Sequence, residues 1–173
     1  MLIVMAGLPG TGKTAIARML AKELDGVVIS KDAVRAVAFP PPVLDYSSEQ
    51  NDLCMEMVYQ ATGYILRSWP EKSVVIDGRT YSRKRQVERA VEVADGLHLV
   101  PFFIECRCSD AVAHQRLEGA APNRAAADRS FSRYLALKAK ADAFSVERLK
   151  LDTGSFDLPE ALRRCLDYLK VAR

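Results

Sequence analysis

The chain has 173 residues, 49% of them hydrophobic and 27% charged, with a net charge of +3. That is a globular composition with enough chain for one core, so a single domain over residues 1–173 is expected. No apolar run approaches the ~20 residues of a membrane span, the net charge is too small for the whole molecule to attract polyanions, and the first residues lack a charged leader region, so a cytoplasmic protein is expected.

The first apolar run, Leu2 to Ala6, has strand character. It is followed by Gly7, Leu8, Pro9, Gly10, Thr11, Gly12, Lys13 and Thr14, which read G-x-x-x-x-G-K-[ST]. Apolar residues then recur at Ile16, Ala17, Leu20, Ala21 and Leu24, which predicts a helix over 14–24. Strand, glycine-rich loop and helix in that order make a phosphate-binding loop. Glycine lets successive backbone N–H groups approach a phosphate, and the helix adds its positive end. Gly7 through Thr14, with Ala15, are therefore the expected nucleotide-binding residues. Lys13 is expected to reach the β- and γ-phosphates, and Thr14 to offer its hydroxyl to Mg²⁺.

A second strand at 27–29 ends at Ser30, Lys31 and Asp32, and Asp32 is placed to cap a short helix over 33–37. Pro40 to Pro42 stop that helix and open a loop to Tyr46. Ser47 or Ser48 begins a long helix to about residue 69, with Leu53, Met57, Ala61, Tyr64 and Ile65 as its apolar stripe. Val74 to Asp77 form a third strand, apolar throughout and so buried on both faces. Ser82 is expected to cap a helix over 83–93. A fourth strand is read over 97–104, where Pro101 argues for an edge position or a bulge. Ser109 or Asp110 caps a helix to 117, helix resumes over 125–144, a fifth strand covers 149–152, and a closing helix covers 158–169.

Strands alternating with helices predict a parallel α/β sheet with right-handed crossovers. Ligands of such sheets bind beyond the strands' carboxyl ends. Those ends carry the phosphate loop, then Lys31 and Asp32, then Asp77, Arg79 and Tyr81, then Glu105 and Arg107, then Asp152, Thr153 and Gly154. One carboxylate there can hold Mg²⁺ through water and another can accept a hydroxyl proton, and Asp32 and Asp77 stand at the two expected strand ends. Glu105 and Arg107 read as strand-end surface residues. Arg116, Arg124, Arg129 and Arg133 fall in one segment, where an arginine can stabilise charge on a phosphoryl group in flight. Cys54, Cys106, Cys108 and Cys165 have no metal-site spacing, and neither His98 nor His114 completes one, so they read as reduced structural cysteines.

With these motifs the chain resembles the small P-loop kinases: polynucleotide kinases, chloramphenicol phosphotransferase, zeta-type toxins, and gluconate and adenylylsulfate kinases. The resemblance rests on Gly7 to Thr14, on Asp32 with Arg35 three residues later, on the strand ending at Asp77 before Arg79, and on Arg116. It implies a P-loop NTPase fold, a three-layer α/β/α architecture with a five-stranded parallel sheet in the order 2-3-1-4-5, and a helical lid over about 116–133. It also implies ATP and Mg²⁺ as cofactors, Asp32 as general base, Arg35 as an acceptor-binding residue, and Asp77 serving metal or acceptor. Arg116, Arg124 and Arg129 would close over the triphosphate, and Thr153 and Gly154 would lie near the adenine.

The expected activity is transfer of the ATP γ-phosphoryl group to a hydroxyl. Lys31, Arg35, Arg79 and Tyr81 form the expected acceptor side, and their cations suit an anionic small molecule, nucleotide or polynucleotide. No RNA- or DNA-binding module is visible, so a nucleic-acid end is carried only by the aromatics Phe39, Tyr46 and Tyr81. The alternative is a P-loop ATPase or nucleotide-binding regulator with no acceptor. A GTPase is disfavoured by the lack of an N-K-x-D motif.

Overall fold

The computed structural model describes residues 1–119 and 130–171. In chain order these form β1 (Leu2–Ala6), α1 (Lys13–Glu23), β2 (Val27–Ser30), α2 (Lys31–Ala38), a 3-10 turn (Pro41–Val43), α3 (Ser48–Ser68), β3 (Val74–Asp77), α4 (Lys84–Asp95), β4 (Phe102–Arg107), α5 (Asp110–Glu118), α6 (Phe131–Ala139), β5 (Leu149–Asp152) and α7 (Leu158–Val171). The strands make one five-stranded sheet, all pairs parallel, in the order β2-β3-β1-β4-β5. This is the expected P-loop NTPase architecture.

Alternation along β1 builds two cores, because successive side chains of a strand leave on opposite faces. Leu2, Val4 and Ala6 pack with Met55, Val58, Tyr59, Val87 and Ala90 of α3 and α4. Ile3 and Met5 pack with Ile16 and Leu20 of α1 and with Cys165 and Leu169 of α7. Each fully buried aliphatic side chain contributes about 1.5–3 kcal/mol. With the sheet locked between two helical layers, the strand ends stay in register: Ser30 stands beside Asp77, Ala6 beside Glu105, and Arg107 beside Asp152.

Several sequence expectations are corrected. β4 begins after Pro101 and runs between β1 and β5 in the sheet interior, so the proline ends the preceding loop and imposes neither an edge nor a bulge. Ser30, not Asp32, caps α2, its hydroxyl accepting from the Ala33 N–H, which leaves Asp32 inside the first turn. Arg83 rather than Ser82 is the N-cap residue of α4. α6 ends at Ala139, short of residue 144.

The stripe read for α3 is its outer face: Leu53 is 48% exposed and Tyr64 61%. The sheet is met instead by Cys54, Met55, Val58, Tyr59, Thr62 and Leu66. Both stripes have helical spacing, and periodicity alone does not say which one faces the sheet.

Candidate active site

The phosphate loop is held from several sides. The Gly7 N–H donates to the Thr80 carbonyl at 3.0 Å, and the Thr11 hydroxyl and the Lys13 ammonium donate to the Leu8 carbonyl at 2.8 and 2.7 Å. Gly12, at φ +82°, is the N-cap of α1 and supplies no side-chain cap. The first N–H groups of α1 are therefore directed at whatever the loop encloses, and the helix end favours an anion there.

Behind the loop, the Thr153 hydroxyl lies 2.9 Å from the Thr11 carbonyl and 3.2 Å from that of Arg107. Arg116, in the last turn of α5, donates to the Thr153 hydroxyl at 3.0 Å, to the Thr153 carbonyl at 2.7 Å and to the Gly10 carbonyl at 3.4 Å. β5 and α5 are thereby tied to the loop's far side. Gly154 donates its N–H to Asp152, whose carboxyl is held below the usual carboxylate range by that bond.

Beside the loop, the Thr14 hydroxyl donates to Asp77 Oδ2 at 2.7 Å. Asp77 is only 2% exposed, and its Oδ1 has no hydrogen-bond partner among the described residues. A buried carboxylate oxygen left without a donor is costly, and a cation relieves that cost. No cluster of three or more His, Cys, Asp or Glu that could cage a metal exists among the described residues. One hydroxyl and one carboxylate beside a phosphate cradle fit Mg²⁺, which takes few protein oxygens and completes its shell with phosphate and water.

The opposite wall is made of side chains. Asp32 lies 3.3 Å from both the Lys31 ammonium and the Arg35 guanidinium. Lys31 and Arg35, both buried, also donate to Asn51 Oδ1 on α3. The Asn51 amide donates in turn to the Tyr46 and Ser47 carbonyls at 3.1 and 2.6 Å. Gln50 holds the same loop through the Val43 carbonyl and the N–H groups of Asp45 and Tyr46. Gly78, at φ +103°, lets β3 pass this close: a Cβ there would sit 3.0 Å from that of Lys31.

Further out, Asp52 pairs with Arg79 and Arg85, and Arg83 with Asp142. One cleft of about 1070 Å³ joins the loop, Asp77, Asp32 and this wall, and Arg133 and Leu137 of α6 reach it as well.

The structure thus brings together Pro9, Gly10, Gly12, Lys13, Thr14, Ala15, Lys31, Asp32, Arg35, Asp77, Arg79 and Arg116 of the expected residues. Tyr81 is not among them. It lies in the core, edge-on to Phe103 and 3.3 Å from the Tyr59 hydroxyl, and burial pushes its phenol well above the usual range. Thr153 is buried behind the loop and does not line the cleft. Arg124 and Arg129 lie outside the described residues, as does most of the segment read as a lid. Glu105, read as a surface residue, is partly covered and receives hydrogen bonds from Arg107 and Arg148. The cysteines form no disulfide among the described residues, and burial pushes the Cys106 thiol up to about 12.

The model of the AAA domain family matches residues 2–144. The chain belongs to the AAA domain family. The match to the AAA domain spans β1 to the end of the cleft-lining segment and stops before β5 and α7. No curated protein matches the chain. Among solved structures, a gluconokinase from Sinorhizobium meliloti is 18% identical with a TM-score of 0.70, covering 99% of this chain and 92% of its own. A sugar kinase from Janibacter is 17% identical with a TM-score of 0.70, covering 98% and 94%. The APS kinase of Mycobacterium tuberculosis, solved with AMPPNP and APS, is 15% identical with a TM-score of 0.71, covering 98% and 97%. At these identities the likeness carries the fold, and the resemblance to small P-loop kinases is borne out at that level.

Asn51, Asp52, Arg83 and Arg85 were missed as site residues by sequence reasoning, whereas Arg133, read with the lid arginines, reaches the cleft. Asn51 and Asp52 sit one helical turn after Ser47, a stretch that reads simply as a helix start.

Proposed function

We propose that this AAA domain, one domain over 1–173, is an Mg-ATP-dependent phosphotransferase that moves the γ-phosphoryl group to a hydroxyl of a small-molecule or nucleotide acceptor. The reading rests chiefly on the shared cleft. A phosphate loop and the Thr14–Asp77 pair open into the same 1070 Å³ space as Asp32 and a second wall on α2, α3 and α4. ATP hydrolysis requires no such second wall.

In this reading the loop N–H groups and Lys13 bind the β- and γ-phosphates and orient the γ-phosphorus toward Asp32. Mg²⁺, when bound at Thr14 and Asp77, supplies neutralisation of the phosphate oxygens. Asp32 accepts the proton of the acceptor hydroxyl as its oxygen bonds to the γ-phosphorus and the bond to the ADP oxygen breaks. Lys31 and Arg35, each 3.3 Å from Asp32, hold its carboxylate in place, and Arg116, which braces the loop and also borders the cleft, is the candidate to meet the charge that builds on the transferring group. Arg124 is a further candidate for that role, and Thr153 and Gly154 for the adenine side.

The test is a phosphoryl-transfer screen with labelled ATP across sugars, sugar phosphates, nucleosides and nucleotides. Label arriving on an acceptor, lost in Asp32→Asn while ATP binding persists, supports the reading. ATP turnover indifferent to every acceptor would sink it in favour of a P-loop ATPase.

A further inference from the structure

Beyond the Lys31, Asp32 and Arg35 network, a second cluster of charge in the cleft wall surrounds Asp52. Its two carboxylate oxygens are divided between two guanidiniums: Oδ1 takes Arg79, from the loop after β3, and Oδ2 takes Arg85, from the first turn of α4, at 3.0 Å. Arg79 is largely buried, with a side chain 12% exposed, whereas that of Arg85 is 69% exposed. Arg83 lines the same stretch and reaches Asp142, at 3.6 Å. The remaining nearby carboxylate, Glu56, is engaged bidentately by Arg89 at 2.9 and 2.7 Å. Here, then, three guanidiniums, Arg79, Arg83 and Arg85, face two carboxylates, Asp52 and Asp142, and Asp52 serves two of them.

Arginines bind a phosphate by donating N–H groups to its several oxygens, and two guanidiniums converging on one anion offer such donors together. A carboxylate supplies two acceptor oxygens and one negative charge, where a phosphate monoester supplies three oxygens and close to two charges. Asp52 therefore satisfies the Arg79–Arg85 pair incompletely. It holds both side chains at the cleft wall.

On the phosphotransferase reading above, we propose that Arg79 and Arg85, assisted by Arg83, bind a phosphate monoester of the acceptor, and that Asp52 is a resident stand-in that this phosphate displaces. The acceptor is an alcohol that already carries a phosphate, bound with its hydroxyl toward Asp32 and its phosphate toward α4. Asp52 offsets the repulsion between the two arginines and sets a threshold: a neutral alcohol cannot displace it.

The two variants pull in opposite directions, which separates this role from a merely structural ion pair. With the phosphate loop saturated by a non-hydrolysable ATP analogue and Mg²⁺, inorganic phosphate is titrated into the full-length chain by calorimetry. Arg85→Ala is expected to weaken phosphate binding about tenfold, the loss of one charge-assisted contact. Asp52→Asn is expected to tighten it severalfold while lowering Tm slightly. Equal affinity in all three proteins, or weakening in Asp52→Asn, overturns the proposal.

The second arm uses matched acceptors: ribose phosphate against ribose, glycerol phosphate against glycerol, cytidine monophosphate against cytidine. Transfer to the phosphorylated member of a pair should exceed transfer to the neutral one, and Arg85→Ala should collapse that ratio. The pair with the greatest ratio tells a sugar phosphate from a nucleotide. Preference for neutral members in the parent protein overturns the proposal. Phosphate binding in the expected order, with transfer to none of the six, strikes at the phosphotransferase reading and leaves the anion site standing.

Discussion

The two walls of the cleft are built on opposite principles. The phosphate-loop wall is mostly backbone: N–H groups at the α1 start, carbonyls of Leu8, Gly10 and Thr11 tied down by Lys13, Arg116 and Thr153, and few side chains. The far wall is mostly side chain: Asp32, Lys31, Arg35 and Asn51 in one network, Asp52 with Arg79 and Arg85 in another. Backbone donors cannot change with sequence, so the first wall suits an invariant triphosphate. Side-chain pairs can be exchanged one at a time, so on the proposed phosphotransferase reading the second wall is where acceptor specificity would be set.

That contrast can be broken experimentally. Lys13→Ala strikes the one charged side chain on the loop and should reduce both ATP binding and turnover, by about a thousandfold or more in kcat/KM. Steady-state kinetics with an ATP-binding titration checks it. Asp32→Asn should lower transfer about a hundredfold to a thousandfold, with ATP affinity unchanged. If ATP binding fell in parallel, the two walls would not be separable.

Asn51→Leu removes the acceptor shared by Lys31 and Arg35 and the donor to the Tyr46 loop. It should raise KM for the acceptor about tenfold, leave KM for ATP within twofold, and cost about 2 kcal/mol of stability. Thr153→Val reverses the pattern: KM for ATP should rise about threefold to tenfold, because the Thr11 carbonyl and Arg116 lose one shared partner, while the acceptor KM stays constant.

The smallest effect concerns packing behind the far wall. Arg89 holds the Glu56 carboxyl below its ordinary value of 4.5 and bridges α3 to α4. A carboxyl depressed by folding adds stability above its unfolded pKa and loses it as pH falls through the folded value. Glu56→Gln should therefore lower stability by under about 1 kcal/mol at neutral pH, both partners being well exposed. The difference from the parent protein in thermal melts should vanish once the pH is well below 4.5.

How far each wall was legible in advance follows from the same contrast. Gly7 to Thr14 lie in one unbroken stretch, and the strand and helix that flank it announce themselves by local period. Asp32 and Asp77 were found because parallel strands place their ends on one side of the sheet. Tyr81 misled for a reason inside that rule: at φ +52° the chain turns back after Arg79, and the ring goes to the core while Arg79 stays at the cleft. The α3 stripe misled because that helix carries two apolar faces.

By itself, the sequence determined the parallel α/β fold class and the phosphate-binding loop, since each depends on short contiguous segments whose chemistry is local, while the sheet order came only from the family resemblance. Only the tertiary structure decided which face of α3 meets the sheet, that Thr153 and Arg116 brace the loop from behind, and that Asn51 and Asp52 organise the opposite wall. Apart from Asn51's local bonds to Tyr46 and Ser47, those contacts join residues from 16 to 142 positions apart. Hydrogen bonds and ion pairs at such separations leave no period in a sequence; they exist because the sheet brings their elements to one end.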